Sequence, residues 1–140
     1  MLTRSLRFAL VSLGLGLVAI GCTSAAAQQK APPGGEFQKV SALVALPDFL
    51  PGMGTLYVNP KTLPVGPFLA YDRDGSLVSS IYMVPVKDLE AKKAFNNLGA
   101  AKEKVDHVDL YYNAGHPGVA EPHYHIVMWY VSAEKAASLK

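Results

Sequence analysis

The histidines of this chain are concentrated in one short segment of the sequence. All four lie within residues 107–125, and three carboxylates lie in or directly beside this range. The set is His107, His116, His123, His125, Asp106, Asp109 and Glu121. Neutral imidazole and carboxylate groups are the usual protein ligands of zinc, copper, iron and manganese. The clustering therefore indicates a candidate site for one divalent transition metal, with the expected ligands His107, Asp109, His116, His123 and His125.

Strand periodicity decides which of these side chains can meet. Side chains two residues apart on a strand share a face, so His123 and His125 point the same way, as do His107 and Asp109. In an antiparallel hairpin, the numbers of two residues that lie opposite each other add up to a constant sum. If this sum is even, Asp109 would lie opposite His125 and all four side chains would share one face. An odd sum would divide them between the two faces, and the sequence leaves the register open. His116 lies in the connecting loop, from which it could fold back over this face.

Other functions fit the same residues. In a structural alternative, the imidazoles lie on a solvent-facing strand and form hydrogen bonds with Asp109 and the backbone. A further alternative is pH-dependent or organic-ligand binding by the histidines. A metalloenzyme would need an open coordination position and a neighbouring acid or base, for which Glu121 and Asp109 are the local candidates. Catalysis is therefore left open, and a non-catalytic role is favoured.

Aromatic side chains are frequent in and beside the same segment, at Tyr111, Tyr112, Tyr124, Trp129 and Tyr130. They favour cross-strand packing, which is the ordinary role of aromatic residues on a sheet, although they could also line a ligand pocket. The aromatic run His123–Val131 also makes a structural protein that assembles into a homo-oligomer an alternative function.

The elements that must position these residues follow from apolar runs and turn signals. Such runs predict strands at Val40–Leu46, Thr55–Val58, Phe68–Tyr71, Leu77–Val84, Val105–Tyr112 and His123–Val131. Asp-Gly at residues 74–75 predicts a hairpin between two of them, because glycine tolerates the positive φ that the turn needs. Partial apolar periodicity predicts a helix over Val86–Gly99, and Ser132 is the expected N-cap of a short C-terminal helix. These elements predict an α+β fold with a mostly antiparallel sheet, one mid-chain helix and a short C-terminal helix.

The first residues of the chain predict export. Arg4 and Arg7 precede an apolar run over Phe8–Ile20. As a helix this run would rise only about 20 Å, too short for a bilayer core of about 30 Å. A positive start, a short apolar core and small residues after it describe a signal peptide, residues 1–21. The sequence Ala19-Ile20-Gly21-Cys22 is similar to a bacterial lipobox, which makes Cys22 the expected lipid-attachment site.

The mature chain would then consist of a polar segment and one domain. Residues 22–38 are small, polar and contain proline and glycine, which predicts a flexible tether. Residues 39–140 predict a single globular domain. Acyl chains on Cys22 would anchor the domain to a membrane of the cell envelope. Alternatively, cleavage after Ala25-Ala26-Ala27 would release a soluble periplasmic or secreted domain.

Charge excludes nucleic acid as an expected partner. The chain carries 13 Lys and Arg against 11 Asp and Glu, a formal net charge of +2. Without residues 1–21, Arg4 and Arg7 are lost, which leaves 11 against 11 and a net charge of zero. No positive field then remains to attract nucleic acid. Cys22 is the only cysteine, so no disulfide can form within the chain.

Four short motifs resemble a family of small exported bacterial proteins of unknown function. They are Met53-Gly54-x-x-Tyr57, His107-x-Asp109, Gly115-His116-Pro117 and Pro122-His123-x-His125. The resemblance covers about Asp48–Ser132. The family pattern has a histidine where this chain has Leu56, so the resemblance implies an incomplete ligand set here. It implies the domain and its motifs, and it brings no assigned reaction.

The His-x-His pair after glycine and proline also resembles cupins. The acidic ligand that cupins carry a few residues later is absent, because Ile126–Val131 is entirely apolar or aromatic. The predicted strands are also too few for a double-stranded jelly roll. A cupin is therefore a minor alternative.

Overall fold

The chain forms one open antiparallel sheet of six strands in a computed structural model that describes residues 28–140. The strands are β1 (Gln38–Lys39), β2 (Thr55–Val58), β3 (Phe68–Tyr71), β4 (Leu77–Pro85), β5 (His107–Asn113) and β6 (His123–Trp129). Their order across the sheet is β1-β2-β3-β4-β6-β5, and every neighbouring pair is antiparallel. The predicted signal peptide and Cys22 lie outside the described residues.

The helices that accompany the sheet are few and short. They are α1 (Val86–Glu90), α2 (Ala133–Ala137) and single 3-10 turns at Val40–Ala42 and Pro60–Thr62. Helix α2 begins after Ser132, whose hydroxyl accepts a hydrogen bond from the backbone N–H of Lys135 at 3.3 Å. Within residues 28–140, no helix has the length and apolar character needed to cross a membrane.

The predicted hairpin joins β3 to β4 and is confirmed. Its turn is held by Asp72, whose Oδ1 accepts hydrogen bonds from the backbone N–H groups of Asp74 at 3.0 Å and Ser76 at 2.9 Å. Gly75 has a φ of +72°, a conformation that glycine enters without the steric cost of a Cβ. This turn fixes where β4 begins, and β4 is buried along its whole length between β3 and β6.

The sheet buries apolar side chains on both faces. One face, called the site face, presents Val58, Phe68, Ala70, Ile81, Met83, Val127 and Trp129 to the core. The segment 40–53 and the C-terminal residues Ala136 and Leu139 pack against it. On the opposite face, a smaller cluster joins Leu69, Tyr71 and Leu77 to Ala31, Phe37 and Tyr57.

The mid-chain helix is shorter than the sequence predicts. It was expected over Val86–Gly99, but it ends at Glu90. Lys92 and Asn97 adopt positive φ angles of 55° and 56°, which lie outside the right-handed helical region and so exclude a continuing helix.

The prediction of a strand at Val40–Leu46 is wrong. The segment begins with a 3-10 turn and lies across the site face, where Val40, Val44 and Leu46 pack into the core. An apolar run indicates burial. Here the burial comes from covering the sheet and not from pairing within it.

Residues 28–38, which were expected to belong to a flexible tether, pack against the sheet. The backbone N–H of Leu77 donates to the carbonyl of Gln29 at 2.9 Å, and that of Ala31 donates to Gly75 at 2.8 Å. Phe37 contributes to the cluster on the opposite face. The folded unit therefore begins well before residue 39.

Candidate functional site

Strand β6 presents two histidines to the interior. Alternation along the strand places His123 and His125 on the site face, where they are only 0% and 2% exposed. In the sheet, His125 pairs with Met83 of β4 and with Tyr111 of β5. Because buried polar groups need partners, the hydrogen bonds of these two rings define the site.

His116 reaches the same place from the loop that follows β5. The backbone N–H groups of His116 and Val119 each donate to the other's carbonyl at 2.9 Å, which closes a tight turn. Gly115 has a φ of +125°, and a Cβ there would lie 2.6 Å from the carbonyl oxygen of Ala120, so only glycine fits. The turn holds the His116 ring 5.0 Å from the His123 ring, measured between centroids.

The three imidazoles converge closely enough to share one metal ion. One ring nitrogen from each of His116, His123 and His125 lies within 4.8 Å of the others. The Nε2 atoms of His123 and His125 are 2.9 Å apart. Tetrahedral zinc, with bonds to nitrogen of about 2.0–2.1 Å, holds its nitrogens about 3.3 Å apart. Small side-chain movements would therefore place three nitrogens around one cation.

The second nitrogen of each ring has its own partner. The Nδ1–H of His123 donates to the carbonyl of Glu121 at 2.6 Å, and that of His116 donates to the carbonyl of the next residue at 3.0 Å. The Nδ1 of His125 lies 3.0 Å from the hydroxyl of Tyr111. A carbonyl can only accept, so the first two bonds fix the tautomer that leaves Nε2 unprotonated. Metal-binding histidines are normally oriented by outer hydrogen bonds of this kind.

The surroundings of His125 favour an uncharged imidazole. Burial lowers the pKa of His125 to about 4, with further contributions from neighbouring His123 and His116. A proton on this ring would lose hydration and would be repelled by any charge on the other two. His125 is therefore neutral at neutral pH, which is the form that binds metals.

His107 and Asp109 lie on the site face but away from the cluster. The numbers of paired residues in β5 and β6 have an even sum, and His107 lies opposite Trp129. Asp109 lies opposite Val127, which is two residues away from His125. Asp109 accepts a hydrogen bond from the indole N–H of Trp129 at 2.7 Å. His107 is hydrogen-bonded to Asp106 at 2.8 Å. The structure thus brings together three of the five expected ligands.

The two carboxylates considered as acid or base for catalysis also lie elsewhere. The carboxylate of Glu121 forms an ion pair with Lys87 at 2.6 Å, and only its backbone carbonyl reaches the cluster. Asp109 is held by Trp129. The described part of the chain therefore brings neither of these two side chains to the histidines.

Sequence reasoning missed two features of the site. Tyr111, interpreted as cross-strand packing, is the hydrogen-bond partner of His125. A cavity of about 350 Å³ adjoins the cluster, lined by His116 and His125 and otherwise mainly by apolar side chains. The sequence feature that could have indicated the cavity is the apolar run Val40–Leu46. This run contributes to the cavity wall instead of forming a strand.

Fold and site together define a small antiparallel-sheet domain with a buried three-histidine cluster beside an apolar cavity. The crystal structure of a hypothetical protein from Thermus thermophilus is similar, with 46% sequence identity and a TM-score of 0.61 over 68% of this chain and 87% of that chain. The chain belongs to the same family as that hypothetical protein. No family model matches the chain, and no curated protein matches it. The relationship supports the fold and brings no activity with it.

Proposed function

We propose that this protein is an envelope domain that binds one divalent transition metal through His116, His123 and His125. The observation that carries the proposal is the convergence of three imidazoles, each with its Nδ1 in contact with an outer partner. Three histidine ligands leave a fourth position for water or another ligand, as in open zinc sites. Imidazole suits zinc, copper and iron, whereas manganese prefers oxygen ligands and fits this set least.

A binding role is favoured over a catalytic one. A metal-assisted reaction would need a positioned acid or base, and the two expected carboxylates are paired with Lys87 and Trp129. We also assign the domain to the α+β class, on the short helices α1 and α2 that accompany its sheet.

Elemental analysis tests the metal site. The protein, expressed from the full chain without an affinity His-tag, should contain about one zinc per chain after incubation with the metal. His125→Ala should remove it. His107→Ala is the matched control, because this histidine lies on the same face with its own partner and should leave the metal content unchanged. Zinc-free protein, or equal zinc in both variants, would refute the site.

We further propose that the domain is exported and lipid-anchored through Cys22. The support is the sequence pattern of residues 1–22. Only residues 23–27 separate Cys22 from the first described residue, a length of at most about 20 Å when fully extended. The domain would therefore lie close to the membrane. Cys22→Ala should move the protein from the membrane fraction to the soluble fraction, and an unchanged membrane fraction would exclude this anchor.

Homo-oligomer formation is a second candidate function, favoured by the surface of β5. This strand is an edge of the sheet, and Val108, Leu110 and Tyr112 on the opposite face are 55%, 65% and 55% exposed. Unpaired edges and exposed apolar patches are surfaces that proteins normally cover. Light scattering at micromolar concentration should show an oligomer that Leu110→Lys dissociates. A monomeric wild-type protein would count against this function.

A further inference from the structure

The apolar cavity opens onto the histidine cluster. Its volume of about 350 Å³ lies in the range of roughly 300–1,000 Å³ that small-molecule sites occupy. His116 and His125 line it, whereas His123 is fully buried and does not line it. The cavity is therefore the place from which a further ligand could reach a metal on these histidines.

The rest of the cavity wall favours a ligand with an apolar body. Side chains from residues 40–58, with Phe68, Ile81 and Met83, form most of it, and Asn113 adds one amide. Among the residues that the structure describes, no Asp, Glu, Lys or Arg lines the cavity. Burial of apolar ligand surface against this wall favours binding. A charge along the body would lose its hydration without gaining a partner.

The head group of the ligand follows from the charge of the metal. Three uncharged imidazole ligands do not neutralise a divalent cation, and no carboxylate from residues 28–140 lines the cavity. An anion at the fourth coordination position would offset this charge. A carboxylate does so with an oxygen donor that zinc binds at about 2.0–2.2 Å.

The cavity also limits the size of the ligand. At about 30 Å³ for each water-sized group, a volume of 350 Å³ holds about a dozen non-hydrogen atoms. Leu43 and Leu63 line the cavity and are 39% and 47% exposed, so the cavity wall reaches the protein surface at these residues.

We propose that the cavity binds a small monocarboxylate with an apolar body, its carboxylate on the metal and its body against the aliphatic wall. This inference rests on the metal site proposed above. It adds the chemical class of the ligand. The anionic head of the ligand would bind the cation, and its apolar body would pack against the cavity wall.

Calorimetric titration with octanoate tests this inference on the full chain. The zinc-loaded protein should bind octanoate at least ten-fold more tightly than protein stripped with a chelator. It should also bind octanoate at least ten-fold more tightly than 1-octanol, which has the same body without the anionic head. Equal affinity with and without zinc, or equal affinity for the two probes, would overturn the inference.

A cavity-filling variant separates this inference from the metal site. Leu56→Phe adds volume inside the cavity and should weaken octanoate binding at least ten-fold while zinc content stays the same. Leu98→Phe, at a 40% exposed position outside the cavity, should change neither. If Leu56→Phe does not fold, Leu63→Trp at the exposed rim serves instead. Zinc uptake without octanoate binding overturns only this inference, whereas absent zinc uptake overturns the proposed function and the inference together.

Discussion

The Nε2 atoms of His123 and His125 lie 2.9 Å apart, and without a cation between them one of the two must carry a proton. His123 donates through Nδ1 to the carbonyl of Glu121, so its Nε2 holds a lone pair. His125 must then donate through Nε2, and its Nδ1 accepts a hydrogen bond from Tyr111. A metal would need both Nε2 lone pairs. His125 would therefore change tautomer on binding, and Tyr111 can follow because a phenolic hydroxyl both donates and accepts.

Replacement of Tyr111 by Phe should weaken metal binding while the three histidines remain. The substitution removes the only hydrogen-bond partner of the Nδ1 atom of His125 among residues 28–140. Loss of such an outer partner typically lowers metal affinity about 10–100-fold. Competition with a chromophoric chelator measures the zinc affinity. Tyr112→Phe, on the opposite face beside Tyr124, is the control and should have no effect. Equal affinities for the two variants would exclude this role for Tyr111.

Acid should destabilise the metal-free protein through His125. Its pKa is about 4 in the folded protein and about 6.5 when unfolded. Between these values the unfolded chain binds a proton that the folded chain does not. The stability is therefore complete above pH 6.5 and falls as the pH decreases to 4, by an amount on the order of 3 kcal/mol. Urea unfolding in the presence of a chelator should show this loss of stability. The loss should be smaller in His125→Gln than in His107→Gln. Equal pH dependence in these two variants would contradict the assignment.

The shared face of the histidines was predictable from the sequence, whereas their partners were not. Alternation alone places His123 and His125 together, and an even pairing sum adds His107 and Asp109 to the same face. The loop between β5 and β6 then sets the register, and it moves Asp109 two residues away from the position opposite His125. A shift of two residues preserves every face and changes every partner. Periodicity cannot detect such a shift.

The cavity could not be predicted from the sequence, for a different reason. Its wall joins residues 40–58 to the turn that carries His116, and these segments are distant in the chain. The run Val40–Leu46 has the composition of a strand, but the hydrophobic pattern reports only that it is buried. Whether a buried segment pairs within a sheet or covers it depends on the rest of the fold. The β3–β4 hairpin was predictable because its turn signal is local.

Removal of the Asp72 carboxylate should destabilise the β3–β4 hairpin. Its Oδ1 accepts two backbone N–H groups of the turn, and its Oδ2 lies 3.4 Å from Lys135 of α2. Asp72→Ala leaves these donors without their partner, at a cost of about 1–3 kcal/mol in the free energy of unfolding. Asp72→Asn keeps an oxygen acceptor and loses only the charge, so it should cost less. Urea denaturation measures both, and an Asp72→Ala protein as stable as the wild type would show that the turn does not depend on this carboxylate.

Replacement of Tyr71 by Phe should leave the protein equally or more stable, although Tyr71 is fully buried. Its ring packs edge-on against Tyr57 at 5.5 Å between centroids, and its hydroxyl has no hydrogen-bond partner among residues 28–140. Phenylalanine keeps the ring and removes the unpaired polar atom. The free energy of unfolding should therefore stay the same or rise by up to about 1 kcal/mol.

The alkaline response of the same variant gives an independent measurement. Burial, with smaller contributions from Tyr57 and Glu103, raises the pKa of Tyr71 to about 12, whereas an unfolded tyrosine has a pKa of about 10. Above pH 10 the unfolded chain releases a proton that the folded chain retains. Wild-type stability is therefore complete below pH 10 and is lost as the pH rises towards 12. Tyr71→Phe should lose less stability over this interval than the wild type. Identical alkaline unfolding curves for the two proteins would show that folding does not raise the pKa of Tyr71. A marked destabilisation of the variant at pH 7 would show that the hydroxyl has a stabilising partner.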